Sequence, residues 1–166
     1  MLSAKMAEIL LTVYPELNDL KRAYGVRAEK CLGFGYNCTG REAEVILGEY
    51  IDAIAMHENL GAFKNCMDTA LKMLLPDEYR VVESVFFKKE SLISGSNRLG
   101  LEPNSFRYRR EKSVKKLRSY IEILGFPENK ILGYFDSEPV FVDAAKEIDS
   151  RRESAKRFRN GKGNKT

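Results

Sequence analysis

Apolar residues recur every three or four positions along most of the chain, and this spacing limits the possible folds more than any other feature. Phe63, Met67, Ala70, Leu71 and Leu74 are one example. Residues at these intervals share one side of an α-helix, whereas a half-buried strand alternates apolar and polar residues. Almost no stretch of the sequence alternates in this way. The sequence therefore predicts an all-α fold.

The segment 75–124 contains the best-defined pair of helices. Gly100 lies between two stretches of helical spacing, and glycine readily adopts the left-handed conformation of a tight turn between helices. Pro103 follows, and proline is favoured in the first turn of a helix. The inward positions of that second helix are then Phe106, Arg110, Ser113, Val114, Leu117 and Ile121. These features predict a helix-turn-helix unit whose second helix begins at Pro103.

The same segment carries an excess of positive charge. Between residues 88 and 122 there are ten Lys or Arg against four Glu, although the formal net charge of the whole chain is only +4. Such side chains donate hydrogen bonds to phosphates and base edges, so we expect the second helix to enter the major groove of double-stranded DNA. The residues expected nearest the bases are Asn104, Ser105, Arg107 and Tyr108. The residues expected to contact phosphates are Arg98, Lys112, Lys115 and Lys116.

Residues 75–124 also resemble a known family. The run Leu-Pro-Asp-Glu-Tyr-Arg-Val-Val from Leu75 is similar to the opening of the C-terminal promoter-binding region (region 4) of bacterial sigma factors. The segment from Ser91 to Leu117 resembles the helix-turn-helix of that region without a gap. The matching positions are Ser91, Leu92, Leu99, Gly100, Leu101, Phe106, Arg109, Val114 and Leu117. Small phage-encoded transcriptional regulators share this unit. The resemblance implies promoter DNA as a partner and RNA polymerase as a further one.

The chain departs from the family pattern at three places in this unit. Gly95 and Ser96 replace Ile-Ala, which removes a core aliphatic side chain, and a glycine weakens a helix by about 1 kcal/mol. Arg110 replaces an apolar residue. Glu102 replaces the usual serine as the helix cap and is a poorer cap.

The remaining segments flank this unit. Residues 1–74 do not resemble the promoter-melting region of a sigma factor, and their helices are expected to form a partner-binding or oligomerisation module. A helix within that module is expected to end near Gly61. Residues 125–150 are expected to form a helical extension, whose apolar patch at 131–135 packs on the core or takes a partner. Residues 151–166 are basic and poor in apolar side chains, so a disordered tail is expected.

Few residues favour catalysis or a bound cofactor. His57 is the only histidine, and the three cysteines lack the spacing of a zinc site. The glycines between Leu32 and Cys38 fit no nucleotide-binding pattern and are expected to form a loop. We therefore expect no enzyme, no metal and no cofactor. No apolar run approaches the roughly 20 residues that span a bilayer, and no signal pattern opens the chain, so we expect a cytoplasmic protein without a membrane partner.

The function favoured by the sequence is a sequence-specific DNA-binding transcriptional regulator. Two other functions stay open. A phage DNA-packaging protein, similar to a small terminase subunit, would also combine a helix-turn-helix with helices that oligomerise. A helical adaptor that binds only protein could use the patch at 131–135. Assembly into a homo-oligomer is open as well.

Overall fold

The computed structural model describes residues 1–35 and 40–161, and every regular element in these ranges is helical, which confirms the all-α fold. The elements are α1 (Ala4–Val13), a 3-10 turn (Tyr14–Glu16), α2 (Leu17–Gly35), α3 (Arg41–Lys72), α4 (Pro76–Val82), a π-helical segment (Glu83–Phe87), α5 (Leu92–Arg98), α6 (Pro103–Ile123), α7 (Glu128–Phe135) and α8 (Pro139–Gly161). Within the described ranges, none of these helices combines the length and the apolar character that crossing a bilayer requires.

The chain divides into two compact units. Unit 1 combines Met1–Val13 with the chain from Ala70 onward, and unit 2 is Tyr14–Thr69. In this division α1 belongs to the unit that contains α6, whereas residues 1–74 are expected from the sequence to form one module. In unit 1, α1 packs on α6, α8 and the π-helical segment. Its buried side chains are Met6, Ala7, Ile9, Leu10, Leu11 and Val13.

In unit 1, α6 presents the expected apolar stripe to the core. The buried residues of α6 are Phe106, Ser113, Val114, Leu117 and Ile121. Arg110, which belongs to the same stripe, is half-buried. Its guanidinium lies 5.6 Å from the centroid of the Phe86 ring and donates to the Glu8 carboxylate of α1 at 2.9 Å. The arginine is accommodated at an apolar position because it is paired and covers an aromatic ring.

Glycines end α5 and α6 in the same way. At Gly100 (φ 63°) the Leu101 N–H donates to the Ser96 carbonyl at 2.9 Å, and the Gly100 N–H donates to the Asn97 carbonyl at 3.1 Å. These two hydrogen bonds define a Schellman motif, which satisfies carbonyl groups at the end of a helix. Gly125 (φ 87°) ends α6 with the equivalent pair of bonds. The turn expected at Gly100 is confirmed.

Unit 2 is built on two long helices. The His57 Nδ1 atom of α3 lies 2.9 Å from the Lys21 carbonyl oxygen of α2, and an added Cβ on Gly25 would lie 3.2 Å from that same nitrogen. His57 therefore helps to hold α2 against α3. The helix end expected near Gly61 is wrong, since α3 continues to Lys72. A single glycine costs about 1 kcal/mol, which is too little to end a helix with good helix formers on both sides.

Two further segments differ from expectation. The disordered tail expected over 151–166 is wrong for its first part, because α8 continues to Gly161; residues 162–166 lie outside the described ranges. Arg152 donates to Glu8 at 3.0 Å, and this ion pair attaches the part of α8 beyond residue 150 to α1. The loop expected between Leu32 and Cys38 does not begin before Gly35, where α2 ends; residues 36–39 are likewise outside the described ranges.

The apolar patch at 131–135 packs back on unit 1. Ile131 and Phe135 are buried, and the Phe135 ring stacks on Phe141 of α8 with centroids 4.7 Å apart. Leu132 is the large apolar residue of the patch that stays exposed. The two largest contributions of the patch to the core are therefore those of Ile131 and Phe135.

Candidate nucleic-acid interface

The first turns of α6 project polar side chains away from the core of unit 1. Pro103 is the first residue of the helix, as expected from the sequence. Asn104, Ser105, Arg107 and Tyr108 follow, and all four are exposed; the tyrosine side chain keeps 66% of its accessible surface. The four residues that the sequence predicted for base contact therefore lie within two turns of one another on the accessible part of one helix.

These four side chains are divided between two depressions on either side of α6. Three of them, Asn104, Ser105 and Tyr108, line an open groove of about 640 Å³ together with Lys112 and residues of α4. Arg107 instead lines a cleft of about 440 Å³ on the other flank of the helix. The sequence predicted the four as one group, but the helical repeat of 100° per residue turns Arg107 away from Tyr108.

The four cations predicted for phosphate contact fall into two classes. Lys112 and Lys115 are exposed, and within the described ranges neither forms an ion pair. Arg98 and Lys116 are paired instead: Arg98 Nε lies 2.9 Å from a Glu90 oxygen, and Lys116 Nζ lies 2.6 Å from a Glu78 oxygen. The structure thus places two of the predicted cations in internal ion pairs, which the sequence could not reveal because the partners lie on other elements.

The Lys116–Glu78 pair joins α6 to the start of α4. Glu78 is buried, and it also accepts a hydrogen bond from the Leu75 N–H at 3.1 Å. Burial raises the pKa of the Glu78 carboxyl, but the hydrogen bonds from Lys116 and Leu75 outweigh it, so the pKa lies below its usual value of 4.5. The same hydrogen bond raises the pKa of Lys116. The pair is therefore charged at neutral pH and links α6 to α4.

The unusual Gly95-Ser96 sequence follows from close packing inside unit 1. A Cβ on Gly95 would lie 2.5 Å from Ser84 Oγ and 2.8 Å from Phe106 Cζ, so the ring of Phe106 takes up the space beside α5. Ser96 is buried, and its hydroxyl donates to the Ile93 carbonyl at 3.0 Å. The missing aliphatic side chain therefore leaves no hole at this point.

Ser84 also organises the acidic residue next to α5. Its hydroxyl donates to the Glu90 carboxylate, which pairs with Arg98 as well. The Ser84 hydrogen bond, followed by that of Arg98, lowers the pKa of Glu90. This network keeps the carboxylate charged and directed toward α5.

The cleft beside Arg107 is more positive than the sequence indicated. Its cationic residues are Lys89, Arg107, Arg110, Arg151 and Arg152, against the carboxylates of Glu8 and Glu90. The composition of residues 151–166 predicts a disordered tail, so the sequence gives no sign that Arg151 and Arg152 join this cluster. Only the packing of α8 on α1 brings them near α6.

The described residues offer no site that suggests a metal. Among them, no group of three His, Cys, Asp or Glu side chains could hold an ion. Cys31 and Cys66 are both buried, and Cys38 lies outside the described ranges.

Comparison with known proteins gives no relative to add to this geometry: no family model, no curated protein and no solved structure matches the chain.

Proposed function

We propose that this protein is a sequence-specific DNA-binding transcriptional regulator that inserts the first turns of α6 into the major groove. The observation that carries the proposal is the composition of the exposed surface of α6. Asn104, Ser105, Tyr108, Lys112 and Lys115 lie on it, on the side away from the buried stripe. Amide, hydroxyl and ammonium groups on one accessible helix face are the donors that base edges and phosphates accept.

The turn at Gly100 supports the same function. It joins the seven-residue α5 to the longer α6, and α5 and α6 pack on each other. In helix-turn-helix proteins the second helix lies in the groove with its N-terminal residues toward the bases, while the first helix lies above it. The resemblance of residues 75–124 to region 4 of sigma factors supports promoter DNA as the target and RNA polymerase as a further partner.

The roles of individual residues follow from their pairing. Asn104, Ser105, Arg107 and Tyr108 are assigned to the bases, and Lys112 and Lys115 to the phosphates. Arg98 and Lys116 hold the fold rather than phosphates, because contact with DNA would have to break their ion pairs with a half-buried and a buried carboxylate. Lys89, which is exposed on the rim of the positive cleft, is the better candidate for a phosphate on the Arg107 side.

The proposal is tested by isolating genomic DNA fragments that bind the full chain and titrating salt on an enriched fragment and on random DNA. We expect the enriched fragment to bind at least about 10³ times more tightly than random DNA, as specific regulators do. We also expect the affinity for both to fall steeply with salt. Absence of salt-sensitive binding would instead favour a protein-binding adaptor, and equal affinity for every fragment would contradict a sequence-specific regulator.

A further inference from the structure

The first three turns of α3 are exposed although half of their residues are apolar. Within residues 41–52, all of which the structure describes, no side chain is buried. Val45, Leu47 and Ile51 are 57%, 57% and 56% exposed. Single exposed aliphatic residues are ordinary on protein surfaces, but Leu47, Ile51 and the half-buried Ile54 recur at helical spacing and form one apolar stripe, whereas Val45 lies on another side of the helix.

The contrast with the rest of α3 is sharp. The later part of the helix is well covered, and its buried apolar residues up to Met67 are Ala53, Leu60, Phe63, Cys66 and Met67. In α2, Val26 and Leu32 are also exposed, by 44% and 51%. Unit 2 therefore has uncovered apolar side chains on both of its long helices.

The charges of the two helices are complementary. Residues 41–58 contain five acidic side chains and one basic, whereas α2 (Leu17–Gly35) contains four basic and two acidic. The exposed members of the acidic set include Glu42, Glu44, Glu49 and Asp52, and those of the basic set include Arg22, Arg27 and Lys30. The two helices of unit 2 thus carry opposite net charges within one chain.

We propose that unit 2 is a self-association surface through which two copies of this chain pair. In a two-fold arrangement the same surface serves both copies, so α3 of one copy can lie along α2 of the other, and α2 along α3. Leu47 and Ile51 are buried at the contact, and the acidic and basic side chains face each other around it. A second copy is the occupant that this charge pattern selects, because each helix finds its opposite charge in the same sequence. DNA is not suited to this surface, since the acidic part of α3 repels phosphates.

The oligomeric state of the full chain tests the proposal. Light scattering after size-exclusion chromatography should give twice the mass of one chain for the wild type in the micromolar range. The double variant L47E/I51E should give half that mass, since it places four carboxylates in the contact. The control I93E/I123E changes two isoleucines of unit 1 that are even more exposed, by 66% and 75%, and it should remain paired. A monomeric wild type, or equal dissociation of the control, would overturn the proposal.

A charge-reversal series keeps the test decisive should L47E/I51E fail to fold. R27E/K30E on α2 and E44K/E58K on α3 should each be monomeric, because like charges then meet across the contact; Glu44 and Glu58 are exposed and lie on the same side of α3 as Leu47 and Ile51. An equimolar mixture of the two should form a mixed pair, since each altered helix meets its opposite charge in the partner. The four substitutions combined in one chain should also restore pairing. A mixture that stays monomeric, or a wild type that forms larger rings, would contradict the two-fold pairing.

This inference is independent of the proposed DNA binding, because mass measurements involve no nucleic acid. A chain that pairs without binding DNA would contradict only the regulator function. A monomer that binds DNA specifically would contradict only the pairing.

Discussion

Glycine weakens a helix, yet the close packing around position 95 leaves no room for a larger residue. The neighbouring atoms, Ser84 Oγ and Phe106 Cζ, belong to buried side chains that have little room to move. The sequence shows a glycine inside a helix at this position, but it could not show that Phe106 fills the space. Contacts between elements are needed to see that compensation.

G95A should lower the free energy of unfolding by about 1–3 kcal/mol, because overpacking outweighs the better helix propensity of alanine. Gly133 provides a matched control: it also lies inside a helix, but an added Cβ there would meet no atom within 4 Å. G133A should raise the free energy of unfolding by up to about 1 kcal/mol. Urea denaturation of both variants measures their free energies of unfolding. A G95A variant more stable than the wild type would show that Phe106 and Ser84 can move to make room for the added methyl group.

The buried Glu78 carboxylate should make stability depend on pH in the acid range. Because its pKa is lowered in the folded state, the pair with Lys116 stabilises the fold above the usual pKa of 4.5. That stabilisation is lost as the pH falls through the lower folded value. E78Q should therefore be less stable at neutral pH and lose less stability on acidification than the wild type.

Denaturation midpoints at a series of pH values from neutral to below 4.5 provide the measurement. E111Q removes an exposed carboxylate of α6 without an ion pair in the described ranges, and it should follow the wild-type profile. An E78Q profile parallel to that of the wild type would rule out the linkage.

Among the elements, α6 is the one that the sequence predicts most completely. Its first residue, its buried stripe and the glycine turn before it all follow from local rules of helix capping and periodicity. The bounds of α3 and α8 were wrong for a different reason. A single glycine or a charged composition shifts the local balance by only about 1 kcal/mol per residue, and contacts with other helices decide whether the helix continues.

The cations of α6 should separate into those that bind DNA and those that hold the fold. K112A and K115A should each reduce the slope of log affinity against log salt by about 0.9, and weaken binding to all DNA sequences alike. K116A should leave that slope unchanged, and instead lower the free energy of unfolding, because Glu78 remains buried without its partner. Salt titrations and denaturation curves on the three variants make the comparison. If K116A alone reduced the salt slope, Lys116 rather than Lys112 and Lys115 would be the residue that contacts phosphates.

At the scale of the molecule, the long-range contacts were beyond sequence reasoning. Glu8 of α1 accepts from both Arg110 of α6 and Arg152 of α8, and so links three helices that are far apart along the chain. Local patterns carry no information on such partners. For the same reason the sequence predicted which residues of α6 are exposed, but not that Arg98 and Lys116 are paired or that Arg107 lies on a separate flank.

The most direct test of the central claim is methylation interference on a genomic fragment enriched by the full chain. Methylation of guanine N7 adds a group in the major groove. We expect it to block binding at discrete guanines of the site. For the R107A variant, methylation of one of these guanines should no longer reduce binding. The variant should lose about 1–3 kcal/mol of binding free energy on the enriched fragment and little on random DNA. Tight binding that no N7 methylation disturbs, or equal losses for R107A on both DNAs, would contradict insertion of α6 into the major groove.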